Sequence, residues 1–192
     1  TQIKPFILSY DETTGQIFKM STASIDDGDD GNEVYKTGSS ASNIIPSNFG
    51  TYENTGTNST IASGDLNKIT SACSFIGGGI RNTASANLSF IGGGDRNIAC
   101  ASWSFIGSGF RNTASGAISA IAGGNDNVAA GQNSFIGGGC RNIASGVNSS
   151  IVGGTLNTAS SARDIIAGGC KNTISSAYGQ NQIGGGTNNT IT

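Results

Sequence analysis

The apolar positions of this chain neither alternate over long runs nor fall at a helical spacing. They return every fifteen residues, at Ile61, Ile76, Ile91, Ile106, Ile121, Ile136, Ile151 and Ile166, and a ninth, Ile183, arrives two residues late. Three residues after each isoleucine stands a glycine, from Gly64 to Gly169, with Gly186 in the ninth copy. Six residues after it stands an asparagine: Asn67, Asn82, Asn97, Asn112, Asn127, Asn142, Asn157, Asn172 and, in the ninth copy, Asn189. A fixed period of this kind predicts stacked structural rungs. In the copy Ser74–Ser85, Ser-Phe-Ile reads as one short strand and Asn-Thr-Ala-Ser as a second. The glycine run between them supplies backbone conformations that other residues resist. Glycine is far too frequent for a helix. Stacked copies would pair strand on strand, in parallel, ~4.8 Å apart. The expected fold is all-β: a parallel β-roll or β-helix solenoid of nine repeats.

Adjacent strand residues point to opposite faces. If the isoleucines and the alanines of the second strand (Ala84, Ala99 and their equivalents) fill the coil, then Phe75, Phe90, Phe105 and Phe135 point out of it. An exposed apolar stripe is rare on a soluble monomer. A fifteen-residue coil also buries little apolar side chain for the backbone it orders. Both arguments predict an inter-chain seam of phenylalanines and a homotrimer, three chains around an axis being a natural closed arrangement. The asparagines are expected to form a ladder of amides hydrogen-bonded up and down the stack.

The array is read as residues 58–192. Ahead of it, two β-rich runs around the turn Asp11–Gly15 read as a hairpin over 1–22. The polar stretch 23–57 reads as a linker or loop. With 31 glycines, 2 prolines and a net charge of -2, nothing electrostatic calls for a nucleic-acid partner. No apolar run reaches the ~18 residues of a membrane-spanning helix, so no membrane insertion is expected. The N-terminus does not look like a signal peptide.

Candidate chemistry is sparse. The four cysteines have no metal-ligand spacing and histidine is absent, so no metal or cofactor is expected. Cys140 and Cys170 occupy one repeat position two rungs apart, too far to bridge. Without histidine there is no Ser-His or Cys-His pair. Carboxylates are few within the array, and the chain is read as not an enzyme. Asp26–Glu33 is the one dense acidic stretch, but its spacing is not that of an EF-hand, and it is read as a solvated loop rather than a Ca²⁺ site. Arg81, Arg96, Arg111, Arg141 and Lys171 share one position and form a candidate stripe for an acidic glycan. Stacked like charges repel, so exposure or pairing with Asp95, Asp126 or Asp164 is the expected state. Trp103 and Tyr178 share a variable position with Leu88 and Ile118, and would either stack on sugars or cover a gap between chains. An ice-binding face needs a regular threonine array. The position after the asparagine, from Lys68 through Thr83 and Ile98 to Thr173, is too irregular for one.

The unit Ser-Phe-Ile-Gly-Gly-Gly-x-Arg-Asn-x-Ala-Ser-Gly resembles the tandem repeats of viral and bacteriophage fibre proteins. It is also similar to the head repeats of trimeric autotransporter adhesins, and it covers about residues 58–192. That resemblance implies a left-handed parallel β-roll that trimerises. The unit here is one residue longer than the usual head repeat and carries glycine triplets, which leaves open whether each chain coils alone or three wind together. The N-terminal Ile7–Ile17 also looks like hairpin modules of viral fibres. The expected function is a structural segment of a virion tail or capsid fibre. It would be a rigid spacer of ~43 Å at ~4.8 Å per rung, displayed on the virion surface. Its partners would be other virion proteins and, in attachment, a host surface glycan. The alternatives are a trimeric adhesin head on a bacterial cell surface, and an ice-binding or glycan-binding solenoid.

Overall fold

The computed structural model describes residues 53–192 in full. Before them it describes the backbone of four strands: β1 (Phe6–Asp11), β2 (Gln16–Ser21), β3 (Tyr35–Thr37) and β4 (Ile44–Pro46). The acidic stretch Asp26–Glu33 lies outside the described residues.

The array is a single-chain parallel β-solenoid of about nine turns, and no helix occurs among the described residues. Each turn carries two two-residue strands. Phe75–Ile76 and its equivalents stack into one sheet, Thr83–Ala84 and its equivalents into another. The register advances by one repeat throughout the regular turns, as in Phe75↔Phe90↔Phe105 and Ala84↔Ala99↔Ala114. The coil closes within one chain: Phe75, Gly77, Ile80, Thr83 and Ser85 each donate a backbone N–H to the following turn, at 2.8–3.0 Å. The two-residue insertion before Ile183 is absorbed without loss of register, since Ile166 still pairs with Ile183.

A third column, missed in the sequence, runs through Asp65, Ile80, Asp95, Phe110, Asn125, Cys140, Thr155, Cys170 and Thr187 as parallel bridges. It falls right after the glycine run, where no β-rich residue signals a strand. The column sets Thr155 between Cys140 and Cys170.

The segment 23–57, expected to be an irregular linker, contains strands. β4 pairs in parallel with Thr60–Ile61, Ile44 facing Thr60, and β3 pairs antiparallel with β4. Glu53–Asn54 begins the second sheet by pairing with Lys68–Ile69, so the solenoid starts inside the expected linker. β1 and β2 form an antiparallel pair with Phe6 opposite Ser21 and Asp11 opposite Gln16.

Four side chains per turn point inward. In the second regular turn they are Ser74, Ile76, Asn82 and Ala84. The isoleucine column from Ile61 to Ile166 is wholly buried and Ile183 is 7% exposed. Alanine is as large a residue as most turns accept opposite the isoleucine; at the ends Ile69 and Ile174 take its place.

Candidate functional surface

The asparagine column holds the coil together. The side chain of Asn97 donates from Nδ2 to Gly93 O at 3.0 Å and to Gly109 O at 2.8 Å. Its Oδ1 accepts the backbone N–H of Asn112 at 3.0 Å and Asn112 Nδ2 at 3.2 Å. The same pattern of one bond within the turn and others to its neighbours recurs from Asn67 to Asn172, and Asn189 closes it on Asn172. Buried backbone groups at a tight corner need partners, and a short amide that both donates and accepts supplies them.

The corner it serves is strained. The residue before each asparagine adopts a left-handed conformation although it is not glycine: Arg81, Arg96, Arg111 and Arg141 have φ of 53–56°. A second left-handed corner passes through Cys73, Leu88, Trp103, Ile118 and Arg163. The sequence gives no sign of either, because the residues that signal such conformations, glycine and asparagine, are mostly absent there. Of the glycine triplet, only the third consistently needs its freedom. Gly94 has φ +97°, and a Cβ there would lie 2.1 Å from Gly109 O.

The outer face of the first sheet carries Phe75, Phe90, Phe105 and Phe135. The first three stack, with ring centroids 5.2 and 5.1 Å apart, and Phe105 remains 41% exposed. Wherever this column holds phenylalanine, the outward residue two positions on is glycine: Gly77, Gly92, Gly107, Gly137. Where the column is smaller or aliphatic that neighbour grows, as in Ala120/Ala122, Ser150/Val152 and Ile165/Ala167; Gln182/Gly184 departs from the pattern. The ring lies across the glycine: a Cβ on Gly77 would meet Phe75 Cε1 at 3.3 Å, and one on Gly92 would meet Phe90 Cε1 at 3.6 Å. Volume along the face is thereby evened out.

The outer face of the second sheet begins with Glu53 and Lys68 and continues with Thr83, Ile98, Thr113, Val128, Ile143, Thr158, Thr173 and Thr190, every one of these eight β-branched. Between the two faces the chain turns through the corner of Leu88, Trp103 (61% exposed) and Ile118 (54% exposed). Tyr178 is not in this column. The insertion displaces it and Gln180 takes the place, donating its N–H to Ala162 O as Leu88 does to Ala72 O.

The basic residues sit on the opposite side, beside the bridge column. Arg96 pairs with Asp95 at 2.9 Å and Arg111 with Asp126 at 3.1 Å, and Arg111 Cζ lies 4.4 Å from the Phe110 ring centroid. Exposed pairs of this kind contribute little stability. Asp164, expected as another partner, is instead buried in the serine column. It accepts N–H bonds from Ser161 (2.8 Å) and from the backbone and side chain of Asn181 (3.3 and 3.1 Å), tying down the turn that carries the insertion. Two residues before the isoleucine stands a serine from Ser59 to Ser149, then Asp164 and Asn181, so the change at Asp164 is visible in the sequence while its inward direction is not. Among the described residues, no three histidine, cysteine, aspartate or glutamate side chains are grouped as a metal site.

No family model matches this sequence, and no curated protein matches it.

Proposed function

We propose that this chain is a structural segment of a fibre on a virion surface, a rigid spacer that holds a host-binding element away from the particle. One observation supports the reading above others. The residues that the repeat keeps most strictly are isoleucine, asparagine, the third glycine and, with few exceptions, serine and alanine; these side chains point inward or, for the glycine, adopt a positive φ. What repeats is the shape of the coil, while the outside varies from turn to turn. A catalytic or ligand-binding array would instead repeat its outward side chains. The resemblance of the repeat and of the N-terminal segment to viral fibre modules gives the virion setting. In this reading the shaft contains three copies, other virion proteins anchor it, and a host surface glycan is the ligand it helps to reach. The related reading, a trimeric adhesin head on a bacterial surface, uses the same observation in a different location.

Immunogold electron microscopy with antibody to the recombinant protein tests both readings on material from the source of the gene. Label on projections of virus particles is the expected result. Label on bacterial envelopes selects the adhesin, and label on neither overturns both.

A further inference from the structure

The charges of the solenoid are concentrated on one side. Between Glu53 and Lys171 the chain has twelve charged residues, of which eight lie in the bridge column or the adjoining left-handed corner: Asp65, Arg81, Asp95, Arg96, Arg111, Asp126, Arg141 and Lys171. Glu53 and Lys68 pair with each other on the first turns of the second sheet, at 2.8 Å. Asp164 is buried, which leaves that pair and Arg163 as the charges on the remaining surface. That surface comprises the phenylalanine face, the Trp103 corner and the β-branched face. Among the described residues it also holds eleven of the fifteen exposed large hydrophobic side chains, with only Leu66, Ile80 and Leu156 on the charged side and Tyr178 in the insertion.

We infer that this charge-poor side is the interface between copies of this chain, set side by side and parallel, with the Trp103 corner at its centre and the arginine corner facing water. Size supports a second copy as the occupant. Nine turns at ~4.8 Å give about 40 Å of length, and half of a fifteen-residue turn at ~3.3 Å per residue gives about 25 Å of width, so about 1,000 Å² per chain. A stable interface buries about 800 Å² per partner. The rung repeat supports it too: a parallel copy presents the same pitch, so each level of side chains meets an equivalent level along the whole length. The volume exchange between Phe75/Gly77 and Ser150/Val152 keeps that surface even. The inference deepens the fibre reading, since it says which side of each chain the shaft buries.

Trp103 is the only tryptophan of the chain, so it reports on the interface without labelling. Light scattering on the full 192-residue protein is expected to give a multiple of the chain mass, three being the number the fibre needs. Dilution should red-shift the emission and raise iodide quenching severalfold as the copies separate. The double variant Trp103→Arg/Ile118→Arg is expected to run as a single chain with an unchanged circular dichroism spectrum, because Arg163 already occupies the same left-handed position in the native fold. Leu66→Arg/Leu156→Arg, which extends the arginine column on the opposite side, is expected to stay assembled. A wild-type protein that is monomeric at all concentrations overturns the interface while leaving a single-chain spacer standing. Assembly that survives the corner variant, or that fails in the opposite-side variant, overturns the placement.

Discussion

At the scale of single residues, two kinds of position carry the fold, and they can be told apart by substitution. Gly94→Ala places a methyl group against Gly109 O in a left-handed conformation, whereas the nearest atom to a methyl on Gly93 is 3.9 Å away. Gly94→Ala is expected to lower stability by about 2 kcal/mol or more and Gly93→Ala by less than about 0.5, read from urea midpoints. Asn97→Ala removes an acceptor from the Asn112 N–H and a donor from two glycine carbonyls. At about 1–3 kcal/mol for each buried group left unpaired, a loss of about 3 kcal/mol is expected, and Asn97→Asp should recover little because it restores only the acceptor. The importance of Asn97 and Gly94 was legible in the sequence because both recur without exception. That Arg96 sits in a left-handed corner was not, since arginine has no preference for it; its N–H and that of Asn97 are donated to Ile80 O and Asn82 Oδ1 of the preceding turn, partners that exist only once turns are stacked.

At the scale of one turn, strand identity was legible only where a β-rich pair marks it. Phe75–Ile76 and Thr83–Ala84 stand out by composition, while the bridge column reads Asp65, Ile80, Asp95, Phe110 and has no common chemistry. Backbone pairing there is dictated by the turns on either side. The same reasoning explains the start of the array: Glu53–Asn54 looks like polar linker, yet Asn54 is 4% exposed at the inward position opposite Ile69 and donates its Nδ2 to Ser59 O. The exchange of volume between neighbouring outward residues makes a prediction at this scale. Gly92→Val alone should cost about 2 kcal/mol, because the side chain meets the Phe90 ring and Gly107 O, which lies 2.2 Å from the added Cβ. Phe90→Ser combined with it recreates the Ser150/Val152 pair, and a double-mutant cycle should return a favourable coupling of about 1 kcal/mol. Additive losses would mean that the pattern has another origin.

At the scale of the whole molecule, the turns are interchangeable modules. Deleting residues 106–120, one full repeat, should leave a folded protein whose length falls by about 4.8 Å, measurable by small-angle scattering. Deleting seven residues from the same place should break the register of every turn that follows and collapse the array. A protein whose activity depended on one site would lose it in only some such deletions; a spacer should merely shorten. The regular hydrogen bonding from each turn to the next has a further meaning for how the molecule is made. No contact needed by a given turn lies far along the chain, so a turn is complete once roughly the next fifteen residues are available. The solenoid can therefore grow in order from its first turn, as the chain leaves a ribosome or a narrow channel, each new coil settling on the template already formed.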